Sequence, residues 1–528
     1  MKAVVLGAGI AGLLAARVLA DHCTEVVLVE RDSLDAGWRR GVPQGRHLHG
    51  LLDRGRAVLE ELFPGFTGEA AARGATTAEA LVGTRWYLGG SRLAATPTGL
   101  TSVMATRPLL EAIVRERVLA LPGVRLHTGT VRGLVGDAGA VRGVRVAGDG
   151  QSTVRYPATA AGPDGAPVPA RSRGTTDPGT TDPGTTDSGT TDSGTTDSGT
   201  TDSGTADPGT ADPGTADPAV GVIELPADLV VDATGRGSRA PQWLADLGFP
   251  APAEERLEVD LGYASALFPR TEGQLDNQSS VIISTGPDGR GGGAIRVQGD
   301  RWHVTLAGML GDHPPTDPAG FTAFAATLAA PDIHDLVDGI EPLGEITPHR
   351  FRSPLRRRYE RLRTVPAGFL VLGDALCSFN PLYAQGMAVA AQQALVLRDC
   401  LAADPAVAGD DAARAATGPA CRVPGVQDPD LPARFYAAAS AVVDVAWRLS
   451  AGSDLANPGV RGTRTVRTRL TNAYVARAHR AAHADPLVAR AFLRVGNLVD
   501  PPAALLRPTL ARRILLPSSA NGASEPTG

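Results

Sequence analysis

Apolar positions run side by side from Ala3 to Leu6, with no polar residue alternating between them. A short continuous apolar run of this kind predicts a strand covered on both faces, as in a parallel sheet. Residues 11–21 then show helical spacing, and "TEVVLVERD" (24–32) is a second buried strand with its charges at the end. Strand, helix, strand in that order predicts a parallel α/β sheet. "AVRGVRVAGDG" (140–150), "GVIELPADLVVDATG" (221–235) and "GFLVLGD" (368–374) predict further strands. Between 250 and 350 the pattern changes to alternation, in "SVIISTG" and "RWHVTLAGML", with a helix near 319–330. This predicts a second, β-rich lobe. From about 429 to 515 alanine and arginine follow helical patterns, which predicts a C-terminal helical region.

One stretch fits none of these patterns. Nine tandem pentapeptides of GTTDP, GTTDS and GTADP type run from Gly174 to Pro218. They carry no apolar position for a core, so 151–222 is expected to be disordered and not a solenoid. Strand-like segments flank it, so it reads as an expansion at a hairpin tip, where added length costs little. The rest is ordinary globular composition: 528 residues, 43% hydrophobic, net charge −5. That length predicts two or three lobes, and that charge predicts no nucleic-acid partner. Lys2 is the one lysine. Cys23, Cys377, Cys400 and Cys421 show neither a CxxC pair nor metal spacing, so reduced thiols and no metal are expected. No apolar run is long enough to span a membrane, and glycines break the N-terminal apolar stretch, so a cytoplasmic protein without a leader is expected.

Gly7-Ala8-Gly9-Ile10-Ala11-Gly12 directly follows the first strand and opens a helix. Its three glycines suit a tight turn, backbone approach to a pyrophosphate, and close helix–strand packing. Glu30, 18 positions beyond Gly12, ends the second strand where an acid can accept from a ribose hydroxyl. In "WRRGVPQGRHLHGLL" (38–52), Arg39 and Arg40 are expected near the diphosphate. His47 and His49 are spaced for no metal site, and local hydrogen bonding with packing is the favoured reading. Arg107 starts a helix, where it could equally be solvated. Asp232 ends an apolar strand. In "GDALCSFNPLYAQGM" (373–387), Asp374 follows a strand, Pro381 stiffens the approach, and Gly386 opens a helix. Amides of Gly386, Met387 and Ala388 then point at whatever lies before that helix. Its dipole favours negative charge there by about 0.3–1 kcal/mol.

These motifs in this order resemble the FAD-dependent monooxygenases of the p-hydroxybenzoate hydroxylase fold. The resemblance implies an α/β fold: a Rossmann-like FAD-binding domain with an inserted β-sheet substrate domain and a C-terminal helical region. The FAD-binding domain would comprise 1–83, 107–150, 223–245 and 356–402. The substrate domain would comprise 84–106 and 246–355, followed by a linker at 403–428, helices at 429–515 and a disordered tail at 516–528. The implied cofactor-binding residues are Gly7 to Gly12, Glu30, Arg31, Arg39, Arg40, Arg107, Val131, Asp232, Asp374, Pro381, Gly386, Met387 and Ala388.

The chain departs from aromatic hydroxylases at Cys377, where they usually have histidine, and at Ala388, where they usually have asparagine. The variants "PQGRHLHGLL", "DATGRGSR" and "SFNPLYAQGM", with a helical tail containing "WRLSAGSD" (447–454), look closest to the squalene-epoxidase-like branch, which includes polyether epoxidases of monensin and lasalocid type. The implied chemistry uses FAD and O2, a flavin C4a-hydroperoxide, and no catalytic side chain or metal. The expected reaction is epoxidation of alkenes in an apolar polyene or polyketide. Electrons would come from NAD(P)H, directly or through a separate flavin reductase; the single dinucleotide fingerprint leans towards the reductase. Aromatic hydroxylation and non-catalytic flavin binding are the alternatives. Halogenase chemistry is disfavoured, since no WxWxIP signature or lysine other than Lys2 is present.

Overall fold

The computed structural model describes residues 1–34, 43–148, 153–154, 221–286, 288–402 and 425–516. The pentapeptide array, Arg39, Arg40, Cys421 and the tail beyond 516 lie outside the described residues. The first strand, β1 (Lys2–Leu6), leads through a glycine turn into α1 (Ile10–Leu19) and then β2 (Glu25–Glu30). Farther along come α2 (Arg107–Leu119), β3 (Val124–Thr128), β4 (Leu229–Asp232), β5 (Phe369–Val371) and α3 (Gly386–Ala402). The strands β3-β2-β1-β4-β5 form one parallel sheet in that spatial order, with Thr153–Val154 antiparallel at the β3 edge. The crossover point lies at β1, beside which α1 begins; in such sheets ligands bind outside the carboxyl ends of the strands. Ala3 to Leu6 are fully buried, as an all-apolar strand of a covered sheet must be.

Residues 221–235, expected as one strand, divide in two. Val222–Pro226 pairs antiparallel with Val141–Ala147, and β4 joins the parallel sheet. The break falls at Ala227–Asp228, where the chain passes from an exposed hairpin to a buried strand. Ala147 pairs with Val222 at the end of this hairpin.

A seven-stranded sheet runs Thr347–Phe351, Leu261–Pro269, Arg301–Gly308, Arg290–Val297, Ser280–Ile283, Thr84–Leu88, Ser91–Arg92. Alternation sorts its faces. Ala264, Ala266, Phe268, Trp302, Val304 and Leu306 pack on the outer side against Phe321 and Ile333 of two short helices. Tyr263, Ser265, His303 and Thr305 fall on the other face, towards the segment 46–51. Both sheets belong to one compact unit made of 1–156 and 221–528; the second unit, 157–220, is outside the described residues. Four further helices follow: α4 (Leu431–Asp454), α5 (Val466–Ala482), α6 (Pro486–Gly496) and α7 (Pro508–Leu515). No helix among the described residues is long and apolar enough to cross a membrane.

Candidate functional site

The turn after β1 places its glycines by contact. A Cβ on Gly12 would collide with the Gly7 carbonyl oxygen, so helix and strand approach as closely as backbones can. A Cβ on Gly9 would meet nothing within 4 Å, leaving the mouth of the turn open to a ligand. No acidic side chain occupies the first turn of α1 and no side chain caps it. Its free amides and positive dipole end therefore suit an anion. Glu30 accepts the Ala8 amide at 2.8 Å through Oε2 and the Arg31 and Asp32 amides at 2.9 and 3.1 Å through Oε1. It thus shapes the turn. Arg31 is exposed beside it, and Val131 follows the end of β3, where the Gly129 amide bonds the Glu30 carbonyl at 2.9 Å.

The distant loop arrives at the same place. Gly373 has φ +66, and a Cβ there would stand 2.6 Å from the Ala11 side chain, so this backbone rests directly on the start of α1. Its amide is held by Gln393 of α3 at 2.7 Å. Asp374 faces the α3 N-terminus, its Oδ1 3.7 Å from where a Gly386 Cβ would be. Burial pushes its pKa up, while the charges of Arg107 and Arg236 act the other way. Met387 and Ala388 are buried in the first turn of α3, Ala388 against Gly55. Pro381 begins a short turn in which Asn380 accepts the Leu382 amide at 3.1 Å.

Arg107 opens α2, bonds Glu111 at 2.7 Å and reaches His49 Nε2 at 3.4 Å. His49 Nδ1 lies 2.8 Å from the His47 carbonyl, so Nδ1 carries the proton and Nε2 accepts. Asp232 departs from expectation. It is wholly buried, and its carboxylate takes the Thr234 amide and hydroxyl and the Ser238 hydroxyl. A carboxylate so committed within its own loop positions that loop.

Sequence reasoning missed four groups. Arg357, 6% exposed, donates to the Ala375 carbonyl at 2.8 Å and the Arg236 carbonyl at 3.2 Å, tying two site loops together. Asp454 ends α4 and accepts from Asn380 and Tyr383, both at 2.8 Å; it closes the quoted "WRLSAGSD" without having been singled out. Tyr263 and His349 pack with His47 at ring distances of 4.5 and 5.4 Å. His47 Nδ1 bonds Ser265 at 2.8 Å, Ser265 meets Thr305 at 2.6 Å, and Thr305 accepts the Leu48 amide. The other ring nitrogen of His47, Nε2, is buried without a partner. Nothing in a linear sequence marks such pairs, because the sheet register alone sets Tyr263 opposite His349.

The rings carry no charge at neutral pH. Burial, reinforced by the neighbouring His349, His49 and His303 and by Arg46, pushes His47 down to about 3; burial and the Arg107 charge take His49 to about 3. Burial also lowers His349 and raises Tyr263. Tyr263 shares an apolar cluster with Leu382, which connects the sheet face to the loop before α3.

No family model matches the chain. Among curated proteins, Protein Rv3254 of Mycobacterium tuberculosis is 31% identical over 419 residues, covering 78% of this chain and 75% of that protein. A flavoprotein/dehydrogenase from Cytophaga hutchinsonii superposes with a TM-score of 0.59 at 14% identity, over 98% of this chain and 99% of that one. PqsL, described as a probable FAD-dependent monooxygenase from Pseudomonas aeruginosa, gives a TM-score of 0.53 at 15% identity, over 86% and 96%. At these identities the structural likeness is one of fold, the mixed α/β fold of FAD-binding monooxygenases.

Proposed function

The chain belongs to the family of the Mycobacterium tuberculosis protein Rv3254, and from the geometry of its site we propose that it works as an FAD-dependent monooxygenase. One observation carries this reading: Gly373 rests on Ala11, which sets Asp374 and the α3 N-terminus beside the open glycine turn. The Gly7–Gly12 turn and the α1 amides would hold the pyrophosphate, Glu30 a ribose hydroxyl, and Asp374 with the α3 amides the distal part of FAD. The bound cofactor would supply the redox chemistry that activates dioxygen. The chain's own residues supply the setting. The α3 dipole favours negative charge before Gly386, and Glu111 fixes the Arg107 guanidinium.

The sheet face supports a substrate carrying a neutral oxygen function on an apolar frame. Tyr263, His47 and His349 offer uncharged polar groups, whereas a purely hydrocarbon chain would leave them unpaired. Hydroxylation of a phenol-like or enolic ring is therefore the favoured reaction. Epoxidation of a polyketide alkene is the second reading, supported by the apolar contacts of Leu267, Ile295 and Met104 near Leu48. Electrons would come from NAD(P)H through a partner reductase, since the described residues hold one glycine-rich fingerprint.

The test supplies the purified chain with reduced FAD, O2 and, separately, a neutral phenol and a linear polyene. Oxygen incorporated into the phenol is the expected result. Reduced flavin consumed with neither compound oxygenated would overturn the monooxygenase reading, and oxygen entering only the polyene would overturn the hydroxylation reading. Tyr263→Phe should raise KM for the phenol about fivefold, the worth of one hydrogen bond of ~1 kcal/mol, with cofactor uptake unchanged.

A further inference from the structure

Six of the twelve exposed large apolar side chains among the described residues fall between 466 and 516: Val466, Leu470, Leu487, Leu506, Leu515 and Leu516, each 49–74% exposed. The same stretch is strongly basic. Residues 455–516 contain eleven arginines and two acidic residues, Asp485 and Asp500, in a chain whose net charge is −5. Both aspartates are already engaged, with Arg513 at 2.7 Å and Arg494 at 2.8 Å. Most of the positive charge in this region is therefore uncompensated locally.

Hydrogen bonds between the helices bring these features close together. α7 buries Ile514 and leaves Leu515 and Leu516 outside. Its start is tied to α5 by the Tyr474 hydroxyl, which bonds the Leu505 carbonyl at 2.7 Å. Leu470, one turn before Tyr474 on the same face, belongs to the Leu506 end. Its finish is tied to the start of α6 by Arg513 and Asp485, which sets Leu487 at the Leu515–Leu516 end. Arg469 and Arg507 are adjacent in sequence to Leu470 and Leu506, and Arg512 lies three positions before Leu515. Aliphatic tips alternating with guanidinium groups match the boundary of an anionic bilayer, where leucines enter the acyl region and arginines reach the headgroups. A nucleic acid would pair with the arginines and leave the leucines in water.

We propose that the α5–α7 face docks on a membrane surface bearing anionic lipid headgroups. The test is flotation of the full chain with phosphatidylcholine vesicles and with vesicles also containing phosphatidylglycerol, at low and high salt. Flotation with the anionic vesicles alone, weakened by salt, is expected. Arg507→Gln and Arg512→Gln should each reduce the vesicle partition coefficient about fivefold, equivalent to the ~1 kcal/mol expected for an arginine near such a surface. Leu506→Ser, Leu515→Ser and Leu516→Ser combined should abolish flotation while the unfolding midpoint stays unchanged. Equal binding to both vesicle types, no binding to either, or wild-type flotation by the leucine variant would overturn the proposal. None of these readouts depends on flavin or turnover.

Discussion

Asp454 is fully buried, with two donors on Oδ1 and none on Oδ2. Burial outweighs the bonds from Tyr383 and Asn380 and raises its pKa from 3.8 to about 6. Below the lower value the group is protonated in both folded and unfolded chains and costs nothing. As pH rises through that window the unfolded chain ionises first, so stability falls, by ~3 kcal/mol in total, and levels off above the folded value. Asp454→Asn should remove this slope, so urea midpoints of wild type and variant should diverge between those two pH values; parallel curves would refute it. The glycine turn separates fold from binding in the same way. Gly12→Ala should destabilise by several kcal/mol because the new methyl meets the Gly7 carbonyl. Gly9→Ala should fold normally, within ~0.5 kcal/mol, and lose FAD affinity, since its methyl enters open space.

Buried hydrogen bonds join loops at the site to one another. Arg357 bonds Glu254 at 3.1 Å as well as the two loop carbonyls. Arg357→Met should cost ~1–3 kcal/mol in urea unfolding, because it leaves the two loop carbonyls without their donor, while Glu254 keeps its pairing with Arg256. The hairpin of Val141–Ala147 with Val222–Pro226 is paired through to Ala147 and Val222. Replacing 174–218 with a short glycine–serine turn should leave the unfolding midpoint and FAD uptake unchanged, and loss of FAD uptake would contradict this.

Across the whole molecule, the proposed cofactor seat draws on segments from residue 7 to residue 388, so ligand and fold are thermodynamically linked. FAD at a hundredfold excess over its Kd should stabilise the chain by ~2.7 kcal/mol, visible as a higher melting temperature; no shift would argue against a formed seat. Much of this architecture was legible beforehand. Three glycines at fixed offsets, a carboxylate ending the second strand and a glycine opening a later helix are local features, each with a local physical reason. The inner sheet face was not legible, because alternation says which residues share a face but not what lies opposite.

The sequence by itself determined the strands whose residues are apolar throughout, the glycine turn that only a side-chain-free backbone can make, and the helix begun at Gly386. These depend on periodicity and steric exclusion within a few residues. Only the tertiary structure decided that Gly373 rests on Ala11, that Asp232 turns inward, and that His47, Tyr263 and His349 meet as neutral rings. Contacts between residues hundreds of positions apart are set by sheet order and register, and the burial that strips those rings of charge exists only once the sheets have packed.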